Sequence, residues 1–174
     1  MASFLNAHGI NAGPIQRPVL TGLISGLLGT IPASLLLHLF GTLEVEARIL
    51  GISTLATLAA GAVIMAAAGA VYAWLFGRAA NNPHSGWLFG IVFGFALWAA
   101  GSAMVLPLAG GGLAPGGVPS IGLFLSFLVW GLATGLLVPH FHRPLSDALA
   151  KGATLNQVGP AAAADSWVPR RNRA

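Results

Sequence analysis

The chain has 174 residues, of which 56% are hydrophobic and only 7% charged, against about a quarter charged in an ordinary soluble domain. With a mean hydropathy of +0.81 there is too little ionic surface to keep a compact body of this size in water, which excludes a soluble fold and makes a lipid bilayer the expected solvent. The absence of cysteine removes disulfides, thiolate catalysis, zinc–thiolate and iron–sulfur sites, and the net charge of +4 comes without basic residues interleaved with aromatics, which points to anionic lipid headgroups and not to nucleic acid.

In chain order, Met1 to Gln16 carries no Lys or Arg, so it lacks the basic start of a secretory signal and no cleaved segment is expected. The first apolar run, Val19 to Phe40, is long enough to cross about 30 Å of hydrocarbon. Small and polar residues recur on it every four positions, at Gly22, Gly26, Thr30, Ser34 and His38, and Pro32 predicts a kink against the carbonyl of Leu28. The connector from Gly41 to Gly51 holds Glu44, Glu46 and Arg48, read as a solvated outer face with Glu44 paired to Arg48.

A second span is predicted over Ile52 to Phe76, a third over Trp87 to Leu106 and a fourth over Ser120 to Val138, none of them with an Asp, Glu, Lys or Arg. The third repeats the four-residue stripe at Gly86, Gly90, Gly94, Trp98 and Ser102, and the fourth contributes Gly131 and Gly135. Helices in lipid associate by close backbone approach, so the glycines at 22, 26, 86, 90, 94, 131 and 135 are predicted helix-packing positions of the GxxxG kind. The first and third spans are expected to make the tight contacts. The glycine run from Gly110 to Gly117 lacks the Lys and Ser/Thr of a phosphate-binding loop and is read as a flexible turn.

Arg17, Arg78, Arg143, Lys151, Arg170, Arg171 and Arg173 fall on one side of such an arrangement and Arg48 alone on the other, which orients both termini to the cytoplasm. The expected fold is therefore an all-α polytopic membrane protein: an N-terminal cytoplasmic tail at 1–18, a four-helix transmembrane bundle at 19–139, and a basic, largely disordered cytoplasmic tail at 140–174 held to anionic lipid.

Residues able to carry chemistry are few. His38 is the one conventionally ionisable side chain inside a predicted span, a candidate proton relay or cofactor ligand whose plainer reading is a hydrogen-bonding residue at a helix contact. Haem ligation by two histidines does not fit, since His8, His84, His140 and His142 are all placed at the opposite side. Those four match no zinc signature, and no metal is assigned to them. Trp98 and Trp130 lie near the middle of their spans, either packed in the core or walling a site for a quinone, pigment or other flat apolar ligand. No serine has an adjacent base and no paired carboxylates lie in a span, so no enzyme is expected and no cofactor is assigned.

The stretch YAWLFGRAANNPHSGWLFGIVFGFALW from Tyr72 to Trp98, with the Met104 to Pro107 end and the glycine run to Gly112, resembles small four-span bacterial membrane proteins of uncharacterised function. That resemblance implies a prokaryotic inner-membrane protein and carries no catalytic residues over. The residues alone leave three functions open: an accessory or scaffold subunit of a membrane assembly, in contact with other subunits or with copies of itself; a small oligomeric transporter or channel; or a haem-, quinone- or pigment-binding protein. The first is favoured, because the helices are rich in contact surfaces and poor in chemistry.

Overall fold

The computed structural model describes residues 15, 17–109, 111 and 115–165. The chain divides into two compact units, Met1–Phe141 and His142–Ala174. All regular structure among the described residues is helical. Helix α1 spans Pro18–Leu39, α2 Thr42–Leu50, α3 Thr54–Ala80 and α4 Gly86–Ala100; a π-helical segment, Gly101–Val105, leads into the short α5, Leu106–Ala109, and α6 is Val118–Asp165. The part of α6 in the first unit ends at Phe141. In the second unit the backbone is helical to Asp165, while Arg170, Arg171 and Arg173 of the expected lipid-contacting tail, like the N-terminal tail with His8, lie outside the described residues.

Local chemistry sets these boundaries. Helix α2 is cut out of the chain by two glycines in the left-handed region, Gly41 (φ 64°) before it and Gly51 (φ 68°) after it, a conformation that costs other residues a Cβ clash. The Gly51 amide closes the helix on the carbonyls of Ala47 and Arg48. Ser53 starts α3 by accepting a hydrogen bond from the Ala56 amide at 3.2 Å. The helical geometry of α3 breaks at Gly77, just before Arg78. Helix α1 keeps helical backbone on both sides of Pro32.

Three helices, Pro18–Leu39, Thr54–Ala80 and Val118–Phe141, are long and apolar enough to cross a membrane. Large apolar side chains cover their outer faces, among them Ile31, Leu55 and Val63, as an apolar solvent allows. The expected third span differs, because its α-helix stops at Ala100 and the π turn follows. Pro107 explains the location: it has no N–H for the carbonyl of Ala103, and its ring would crowd that carbonyl in an α-helix, whereas a wider turn there relieves the clash.

The helices meet at glycines, in pairs different from those expected. A Cβ added to Gly22 would overlap the carbonyl of Gly69, one on Gly69 would meet Gly22 and Gly26, and one on Gly26 would lie 2.6 Å from the Met65 carbonyl, so α1 closes on α3 and not on the third predicted span. Gly86, Gly90 and Gly94 of α4 oppose Gly135, Gly131 and Phe127 of α6 in the same way. Both registers run in opposite senses, which makes each pair antiparallel and puts Arg17 and Arg78 at one end of the bundle. Tyr72 locks that end: it is fully buried, its hydroxyl donates to the Gly86 carbonyl at 2.7 Å, and its ring packs on Phe76 and Phe93.

At the other end α6 is tied to the α1–α2 corner. Thr42 donates from Oγ1 to the Pro119 carbonyl at 2.9 Å, and a Cβ on Gly122 would run into Phe40 and Thr42. Between the two ends, fully buried Trp130 crosses from α6 to α1 and donates from Nε1 to the Gly26 carbonyl at 2.9 Å.

Candidate functional site

Backbones that touch at glycines at one end are held further apart where the facing residues carry side chains. Beyond Trp130 the helices line a half-open cavity of about 470 Å³, within the range of small-molecule sites. Helix α1 contributes Thr30, Ala33, Ser34 and Leu37; α3 contributes Thr57, Gly61 and Met65; Trp130 and Phe127 of α6 form the floor near the glycine contacts. The π turn presents Gly101, Ser102 and Val105, and α2 covers the far end with Leu43, Glu46 and Leu50. Gly61 faces the open volume, for a Cβ added there would meet nothing within 4 Å.

The hydroxyls in this wall have already used their protons. Thr30 donates to the Leu27 carbonyl, Ser34 to Thr30, Thr57 to Ser53, Ser102 to Trp98 and Ser126 to Gly122, each to a carbonyl three or four residues back along the chain. What remains toward the cavity is hydrocarbon, aromatic rings and acceptor oxygens. Glu46 is the one ionisable residue among the described residues of the wall.

Glu46 was expected on a solvated face, and the structure corrects this. Leu43, Glu46, Ala47 and Leu50 fall three and four residues apart, so they share the inward face of α2. Leu43 and Ala47 are buried there, and Glu46 lies between them. That three-and-four spacing within the connector is the sequence signal for its inward position. Burial pushes its carboxyl up from the usual 4.5 to about 7. Because the folded state keeps the proton, the stabilisation is complete below about 4.5 and is lost as pH rises through about 7. Thermal unfolding should therefore shift downward between pH 5 and pH 8, and Glu46→Gln should flatten that slope.

The other predicted site residues are distributed elsewhere. His38 is largely exposed and its Nδ1 lies 3.3 Å from Oε1 of Glu44. Glu44 is thus paired with His38, and not through its carboxylate with Arg48, whose Nε instead reaches the Glu44 backbone carbonyl at 3.4 Å. Trp98 and Trp130 belong to different ring groups: Trp98 packs on Phe95 and Phe124, Trp130 on Phe93. Only Trp130 lines the cavity. His84 and His140 are exposed, and no group of three potential metal ligands occurs among the described residues.

In comparisons with family models, curated proteins and solved structures, nothing matches this chain.

Proposed function

We propose that this chain is a four-span integral protein of a bacterial inner membrane that has no catalytic site and holds a small, largely apolar molecule within the bilayer, in the cavity between α1, α2, α3, α4, the π turn and α6. The observation that carries this reading is a wall in which five hydroxyls are bonded back to carbonyls three or four residues earlier in the chain, leaving an apolar surface with room for a guest. The four-span reading is supported by helical backbone continuing from Gly86 to Ala109 through the π turn. The orientation is supported by Arg17 and Arg78 at the glycine-closed end with Arg48 on α2 opposite. Holding such a molecule is also the chemistry an accessory subunit of a larger membrane assembly would bring. The haem-binding variant has less support, because His38 is not part of the cavity wall and lies against Glu44.

Carbene labelling tests the reading. A neutral adamantyl diazirine, photolysed with the protein in membranes, should modify Met65 and Phe127 of the wall, and Gly61→Phe, which fills the space, should suppress that labelling. Labelling confined to outward residues such as Leu20, Val63 and Leu108 would contradict it.

A further inference from the structure

Resting on that reading, we propose that the molecule held in the cavity is a lipophilic cation, seated with its charged group against the Glu46 carboxylate and its apolar body against Met65, Phe127 and Trp130. The charge pattern of the wall selects this class. Glu46 is the one ionisable residue among the described residues lining the cavity, and α1, α3, α4 with its Leu97 and Ala100, the π turn and α6 present no titratable or charged side chain to it. The basic side chains closest in sequence are engaged elsewhere: Nδ1 of His38 on α1 lies against the Glu44 carboxylate, and Nε of Arg48 on α2 donates to the Glu44 carbonyl. No protein cation is thus available to neutralise Glu46 from within the wall, and a buried carboxylate without a counter-charge is costly in an apolar setting.

The hydroxyls reinforce the selection. Having donated their protons to helix carbonyls, Thr30, Ser34, Thr57 and Ser102 offer lone pairs to the cavity, which suit a positively charged group or a donor and give nothing to an anion. An anionic guest would meet Glu46 unscreened, and a neutral one would leave the carboxylate unpaired. Placement fits as well: Glu46 sits on the short helix between two long apolar ones, at the end of the cavity away from the glycine contacts, so an amphiphile would keep its charge at that end and its body among the helices. A carboxyl whose proton is held up to about 7 by burial also makes the binding competitive with protons near neutrality.

Tetraphenylphosphonium, a permanent lipophilic cation, is the probe, measured by equilibrium dialysis against the full chain in zwitterionic nanodiscs with empty nanodiscs as the baseline. Affinity should fall about tenfold from pH 8 to pH 6, because a proton and the cation compete for a group titrating near 7. The isosteric anion tetraphenylborate should show no saturable binding. Glu46→Gln should remove the pH dependence. The wild-type pH profile and the cation-to-anion comparison need no variant, so a failure of Glu46→Gln to fold leaves the test intact. Binding independent of pH, or equal for the two ions, overturns the cation assignment; if neutral carbene labelling still reaches Met65 and Phe127 in that case, the cavity reading stands alone. If the neutral probe does not enter either, both fall.

Discussion

Gly90→Leu should separate α4 from α6 and cost the protein its stable fold. A Cβ at this position would overlap the Gly131 carbonyl and lie 3.0 Å from the Gly135 Cα, so the obstacle is backbone, which cannot turn aside as a flexible side chain would. Overpacking of a well-formed core costs about 1–3 kcal/mol and occasionally more; here the whole helix must retreat, giving up neighbouring contacts at Gly86 and Gly94 as well, and the upper part of that range is expected. In lipid the loss has little to offset it, because helix association depends on close packing and not on removal of apolar surface from water. Unfolding in a graded mixture of mild and denaturing detergent measures it. Gly61→Ala is the matched control: it faces open space, and replacing a helical glycine should raise stability by up to about 1 kcal/mol. Equal behaviour of the two variants would show that the α4–α6 contact is not what holds the bundle.

Trp130→Ala should be the most damaging truncation. The side chain is fully buried, packs on Phe93, sits against Gly29 and donates to the Gly26 carbonyl. Its removal deletes a ring that fills the centre of the bundle, at about 3–5 kcal/mol for a buried aromatic, and withdraws a donor bridging α6 to α1. Trp130→Phe separates the two terms: it keeps most of the volume and loses the hydrogen bond, so a cost of about 1 kcal/mol is expected. Both are read in the same detergent titration, and a Trp130→Phe variant as unstable as Trp130→Ala would place the weight on the hydrogen bond and not on packing.

Much of the architecture is legible in the chain because the bilayer simplifies the problem. Runs such as Val19 to Phe40 need only length and apolarity to be read as membrane-crossing helices, and α1, α3 and the apolar part of α6 have both. Which helix meets which is harder. The glycine stripes of α1 and α4 are plain in the sequence, but their partners are decided by register and neighbour order: Gly69, with no stripe of its own, opposes Gly22 and Gly26. The π turn arises from one proline, Pro107, acting four residues upstream, and period counting alone does not find it.

The cavity is the part that sequence reading missed. Its wall is assembled from α1, α2, α3, α4, the π turn and α6, so no contiguous motif announces it, whereas His38 and Trp98, the residues whose type and position stand out in the sequence, lie outside the wall. Glu44, Glu46 and Arg48 read as an ordinary charged loop in the sequence, and the inward place of Glu46 emerges only from the helix that Gly41 and Gly51 bracket. Trp130, whose place near the middle of its span stands out in the sequence, is both a helix bridge and part of the cavity floor.

The most direct test of the cavity as a binding site is native mass spectrometry of the wild-type protein and Gly61→Phe, each taken from its own membranes into mild detergent and released in the gas phase. The account predicts a discrete small-molecule mass retained on the wild type and absent from Gly61→Phe, with the two proteins otherwise equally folded. A wild type without such a mass, or the same adduct on both proteins, would contradict it.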